Sequence, residues 1–243
     1  MRGRNSTQSQ DHQKQISKLV DPVSGNLVST PEAALGNTLP SAGNTMSDAR
    51  LYLALVALVC ASLTSAAAAP RLAATQSAPA LGAWVPFCEQ HPAECAIDPA
   101  EPEIIPLDQT ALELIQAVNR YVNRSIVPRR DIEHWGKLDQ WDLPTDGMGD
   151  CEDYQLLKRK LLVEAGLPRR AMRMTVVIDD IDEGHAVLTV RTDAGDLILD
   201  NKVDAVLLWQ DVKYEFIKRE SSRSAEWLFL EREERTDMIA MAR

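Results

Sequence analysis

The sequence predicts an α+β domain with helices packed against an antiparallel β-sheet, on three observations. Apolar residues recur at helical spacing over 109–123 and again from residue 151 to a stop at Gly166-Leu167-Pro168. Three later stretches, 172–178, 185–192 and 197–199, are β-branched and apolar, with acidic or Gly-containing turns between them. The 243 residues are 45% hydrophobic and 26% charged, with no Gly or Pro excess, so a packed core is within reach.

Charge narrows the partners. Lys and Arg number 26 against 36 Asp and Glu, a formal net charge of −10. That sign supplies no field for nucleic acid or anionic lipid.

The first 45 residues are rich in Ser, Gln, Asn and Thr and show no period, and they read as disordered or as a mis-assigned upstream start. Residues 46–69 have the order of a signal peptide: a segment ending in Arg50, an apolar run over 51–63 too short for a comfortable membrane span, and Ala67-Ala68-Ala69 before Pro70. A single exported domain over 70–243 follows, with no stable membrane insertion after cleavage.

Four cysteines divide by context. Cys60 falls in the signal segment. Cys88 and Cys95 flank a Pro-containing loop in the lead-in over 80–100, where a disulfide competes with a metal pair completed by His91. The absence of a second compact ligand pair favours the disulfide. Cys151 is then left alone, which in an oxidising compartment asks for a reason.

Asp108 is placed to cap the helix over 109–123, with Leu112, Ile115, Val118 and Val122 on one face. Residues 131–149 carry Trp135, Trp141, Pro144, Gly147 and Gly149 and read as turns, their tryptophans walling a cleft or covering the core. Asp150 is placed as N-cap and Asp153 as its capping-box partner, which puts Cys151 in a first helical turn where dipole and orphan amides favour a thiolate. After the strand over 172–178, residues 179–183 turn, the next strand begins at His185, and the return strand ends at Asp200-Asn201. His185 and Asp200 therefore lie on adjacent strands, within diagonal reach of each other. Further sheet is expected over 206–218, and over 226–241 a terminal helix or a frayed end, its start anchored by Trp227, Leu228 and Leu230.

Cys151 as nucleophile, His185 as base and Asp200 as the carboxylate that orients it make a thiol acyl-transfer set, with the Cys151 amide and a donor from 131–149 at the oxyanion. The bland alternative is a buried thiol, a strand histidine and a turn aspartate that only pack.

Gly149-Asp150-Cys151-Glu152-Asp153-Tyr154 with Lys158 in the same helix, Gly184-His185-Ala186-Val187-Leu188, and Leu197-Ile198-Leu199-Asp200-Asn201 together resemble the bacterial transglutaminase-like cysteine peptidases, and less closely transglutaminase and papain-type enzymes. The resemblance implies a papain/transglutaminase-like fold and a periplasmic cysteine endopeptidase acting through Cys151, His185 and Asp200. The best-studied members cut large surface adhesins. Those members bind calcium beside the nucleophile, and Asp150, Glu152 and Asp153 match that acidic cluster. Independently, three carboxylates around Cys151 would oppose its thiolate, a penalty a cation removes.

The resemblance leaves the target open. The loop over 141–148 is short beside that of the adhesin-cutting members, and the Cys88 and Cys95 pair suggests another branch. The expected partner is a protein substrate in the periplasm or envelope, met by a monomer. No Gly-rich phosphate loop is present, so no organic cofactor is expected. Two other readings stand beside the peptidase: a transglutaminase-type acyltransferase, and a catalytically silent periplasmic binding domain.

Overall fold

Three short elements open the described chain, and none has enough residues to show a period in sequence. The computed structural model describes residues 71–231. The upstream segment and signal peptide expected over 1–69 lie outside them, as does Cys60. Strand β1 (Ala74–Ala78) buries only its last residue and owes its existence to pairing with a later strand. Helix α1 (Trp84–Gln90) buries Trp84 and Phe87 and tolerates Pro86 because it falls in the first turn, where no intrahelical amide partner is lost. Helix α2 (Pro92–Cys95) follows, and the Cys88–Cys95 disulfide links the two, with Cα atoms 5.6 Å apart. Both cysteines are thereby taken from the alternative metal pair.

Helix α3 (Gln109–Ser125) starts as predicted, with Asp108 Oδ1 accepting the Ala111 amide at 2.8 Å. Its buried face is Leu114, Ile115, Val118, Asn119 and Val122, so Leu114 takes the place expected of Leu112. The stretch read as turns holds strand β2 (Val127–Pro128), helix α4 (Asp131–His134) and strand β3 (Met148–Gly149), and parallel β2–β3 pairing closes the loop between them. Its two tryptophans split between the two roles. Trp141 is buried, with its ring 5.2 Å from Trp84 and 6.1 Å from Trp227, whereas Trp135 is 42% exposed and stacks on His134.

Helix α5 (Cys151–Glu164) stops where Gly166 takes a φ of +96°, a conformation that favours glycine. The Leu167 amide then reaches the Leu162 carbonyl and the Gly166 amide that of Val163, the two bonds of a Schellman motif.

A meander of β4 (Met172–Ile178), β5 (Gly184–Thr192) and β6 (Gly195–Leu199) forms the centre of the sheet, with a two-residue turn between Thr192 and Gly195. Strands β7 (Leu207–Leu208), β8 (Glu215–Glu220) and β9 (Trp227–Leu230) complete seven antiparallel strands in the order β1-β9-β8-β4-β5-β6-β7. The helix expected over 226–241 is corrected in its first part. Trp-Leu-Phe-Leu has aromatic and apolar strand character, and the free edge of β8 offers it a ladder. Residues beyond 231 lie outside the described chain.

Strand alternation sorts the core. Met172, Met174, Leu188, Val190, Leu197 and Leu199 face the helices, with Leu156, Leu161, Leu162 and the α3 face. Val177, Val187, Ile198 and Phe216 form a smaller cluster on the opposite side with Leu72 and Leu230. Helix α5 packs on β5. Arg159 pins that helix from beneath, with a 2.6 Å ion pair to Glu220 and a 3.0 Å bond to the Glu94 carbonyl of α2.

Candidate active site

Cys151 occupies the first position of α5, as its flanking residues predict. Among the described residues it is the one free cysteine. The Ala186 amide, one residue past His185, acts on its sulfur, which puts the thiol near the beginning of β5. The sulfur also lies 3.1 Å from Glu152 Oε2, to which the thiol donates. Burial, then Glu152 and Asp150, push the thiol well above its ordinary pKa. In this state the carboxylates and burial outweigh the helix dipole.

His185 and Asp200 meet, as their strands allow. Leu188 pairs with Leu199 in a regular register, which puts Asp200 diagonal to His185 on the side of Val187 and Ile198. His185 Nε2 is 2.8 Å from Asp200 Oδ1, and both residues are buried. Asp200 Oδ1 also accepts the Lys202 amide at 3.0 Å, and Oδ2 accepts the Tyr214 hydroxyl at 2.7 Å. Burial pushes the Asp200 carboxyl up, but His185, the Lys202 amide and Tyr214 outweigh it and hold it below its ordinary value. A carboxylate only accepts, so the proton on that edge of the ring sits on Nε2 and leaves Nδ1 basic.

The acidic residues sort differently from expectation. Asp131, Asp150 and Glu152 each offer an oxygen, all within 4.8 Å of one another. Asp153 is not in this group: its Oδ1 accepts the Asp142 amide at 2.8 Å, and the Asp150 amide acts on its carboxylate from the place of the return half of a capping box. The forward half is missing, because the Asp150 side chain makes no cap bond and instead accepts the Asp131 amide at 3.1 Å. Gly149 permits the fold of Asp153, since a Cβ there would lie 2.6 Å from Asp153 Oδ2. The amides of Asp131, Gln140 and Asp142 all go to these carboxylates, so this part of the loop does not supply the expected oxyanion donor.

These residues fit a hard cation. Asp131 Oδ1 and Asp150 Oδ1 are buried without a hydrogen-bond partner. Burial raises the Asp131 carboxyl to about 6, with Asp150 adding to the shift, and burial with Asp150 and Asp153 raises Glu152 further. A spread of 4.8 Å is what one ion with oxygen ligands at ~2.4 Å spans.

The turn before His185 is closed by Asp179, whose Oδ1 accepts the amides of Ile181 and Glu183, both at 2.9 Å, while Oδ2 pairs with Lys202. The Lys202 hydrogen bond holds this carboxyl at about 2, below the ordinary 3.8. A depressed folded pKa means a stabilising contribution that is complete above 3.8 and lost as the pH falls toward 2. In urea unfolding across pH, the advantage of wild type over Asp179→Asn is therefore expected to be flat above about pH 5 and to shrink below it.

Two residues of this site carry no sequence signal of their own. Asp131 lies 19 residues before the aspartate it joins, within a loop that has no period. Tyr214 reaches Asp200 from the chain leading into β8, where it reads as an ordinary sheet aromatic.

The bacterial transglutaminase-like cysteine proteinase (BTLCP) family matches residues 73–235, nearly all of the described chain. No curated protein matches. Among solved structures, calcium-bound LapG of Legionella pneumophila is 25% identical over 50% of this chain and 71% of its own, with a TM-score of 0.42. EGTA-treated LapG of the same organism is 26% identical over 48% and 64%, with a TM-score of 0.40.

Proposed function

The chain belongs to the bacterial transglutaminase-like cysteine proteinase family, a cysteine peptidase by that membership, and from this premise we propose that Cys151, His185 and Asp200 are its reacting set in an exported endopeptidase. The observation that carries the assignment is the 2.8 Å contact of His185 with Asp200 on the strand against which the Cys151 helix packs.

The order of events follows from the atoms. His185 Nδ1 takes the Cys151 thiol proton, and the sulfur attacks the scissile carbonyl carbon. The imidazolium, held by Asp200, returns that proton to the departing amine as the carbon–nitrogen bond breaks, leaving a thioester. Water, deprotonated by the same nitrogen, releases the carboxylate product and the thiol. Tyr214 stays a donor throughout, since burial and its bond to Asp200 raise its pKa.

Asp131, Asp150 and Glu152 are the residues that would hold calcium, with Asp153 positioning the loop around them. A bound cation there would cancel the carboxylate charge beside the thiol and draw Glu152 off it. Export to the periplasm, a cleaved signal over 46–69 and a domain over 70–243 complete the proposal. The Cys88–Cys95 disulfide supports an oxidising compartment, and among the described residues no helix is long and apolar enough to cross a membrane.

Hydrolysis and transfer share the thioester and differ in what resolves it. Mass analysis of the products from a protein substrate, with and without added glycine methyl ester, separates them. New carboxyl termini unaffected by the ester are expected; conversion of most product to the amide adduct would make the chain an acyltransferase.

A further inference from the structure

Helix α5 carries a second ionisable side chain that the reaction above does not use. Lys158 lies two turns along from Cys151 and is fully buried, and its Nζ has no hydrogen-bond partner among the described residues. A buried ammonium without partners is expensive, and an apolar side chain of the same length would fill the space at less cost. The helix meets the loop from Asp200 to Asp204 one turn earlier, at Gln155. Gln155 of α5 donates to Asn201 Oδ1 at 3.3 Å. Asn119 of α3 donates to the carbonyls of Val203 and Asp204, and Asn123 donates to the Asp200 carbonyl at 3.0 Å. The loop is thus carried by side-chain amides of two helices, and Asp200 and Asp204, at its two ends, are the carboxylates that act on the lysine. Asp204 is itself shared with Arg124 of α3 at 3.2 Å, and Asp200 with His185.

We propose that Lys158 is a positioning residue: its buried ammonium is the counter-charge that keeps the Asp200–Asp204 loop seated on α3 and α5 with Asp200 aimed at His185. The proposal rests on Cys151, His185 and Asp200 being the reacting set. Asp200 otherwise sits on a loop that leaves the sheet, and a carboxylate that must orient a base gains from a fixed charge behind it. Burial pushes the lysine down and the two carboxylates pull it back, leaving it at about 7, against an ordinary 10.5. A base with a depressed folded pKa detracts from stability while the unfolded chain still binds its proton, so wild-type stability should rise between pH 7 and 10.5.

The test compares wild type, Lys158→Met, Lys158→Arg and His185→Ala as full chains with calcium present. It reads the rate of Cys151 alkylation by iodoacetamide near neutral pH, by peptide mass, and the Tm. Lys158→Met is expected to keep or raise the Tm and to lose the stability rise at alkaline pH, while alkylation slows by about tenfold or more. Lys158→Arg, which keeps the charge, is expected to stay within about threefold of wild type. Lys158→Met alkylating at the wild-type rate, or slowing only with a lowered Tm, would overturn the proposal. If Lys158→Met does not fold, Lys158→Arg decides: folded and as slow as His185→Ala, it goes against the proposal, and folded and fast, it supports it. Wild type reacting no faster than His185→Ala would instead sink the reacting set, so the two failures are told apart.

Discussion

Cys151→Ala is expected to abolish peptide-bond cleavage, by about 10⁴-fold to 10⁶-fold, with no loss of cooperative unfolding. The sulfur forms the bond that the whole route depends on, and nothing else within the described site is a thiol. His185→Ala should cost nearly as much, because an unassisted thiol here is held as a thiol by burial and by Glu152. Asp200→Asn should cost less than either, since it disturbs the ring's orientation and tautomer while leaving Nδ1 in place. The three losses should not add: a Cys151→Ala, His185→Ala double variant should be no slower than Cys151→Ala alone. Initial rates on a protein substrate, with circular dichroism as the fold check, measure this. A silent binding domain predicts the same residual rate for wild type and every variant.

Removal of the cation is the second large effect. Chelation is expected to slow cleavage by about 100-fold or more, because the thiol then faces Asp150 and Glu152 uncompensated. Asp131→Asn should weaken calcium binding by at least about tenfold, and yet make the metal-free protein more stable by relieving repulsion. The pH sign follows from the same groups. Burial raises Asp131 to about 6 and Asp153 to about 8. Their contribution to stability is complete at acid pH and is lost as the pH rises through those values. The metal-free protein should therefore lose stability as the pH rises from about 4 to about 8, saturating calcium should restore about 3 kcal/mol at a hundredfold excess over Kd, and Asp131→Asn should lack the part of the fall between 3.8 and about 6. Unfolding followed across pH, with EGTA or calcium, checks all three. An Asp131→Asn protein binding calcium as wild type does would remove Asp131 from the site.

Sequence carried furthest where one side chain period meets one local signal. The strand over 172–178 matches β4 to the residue, because a β-branched run ends at an acidic turn. The approach of His185 and Asp200 is legible only as permitted, because the sequence places a turn over 193–196 without fixing the register that the two-residue turn of the structure sets. Legibility fails where tertiary partners decide. Strand β1 is exposed along most of its length and forms because β9 needs a neighbour, and β9 is a strand because β8 has an open edge. The cation cluster shows the same division within one site. Asp150 and Glu152 flank the nucleophile and are visible at once, whereas Asp131 arrives from a loop. Asp153 had the right charge and the wrong direction, because a carboxylate in the first helical turn is drawn back to free amides.

The most direct test of the central claim is the rate at which iodoacetamide alkylates Cys151 in the calcium-loaded protein across pH, in wild type beside His185→Ala. The account predicts rapid single-site modification near neutral pH that His185→Ala removes. Slow labelling in both proteins, rising only toward a pH of about 8.5 or above as for an ordinary thiol, would contradict it.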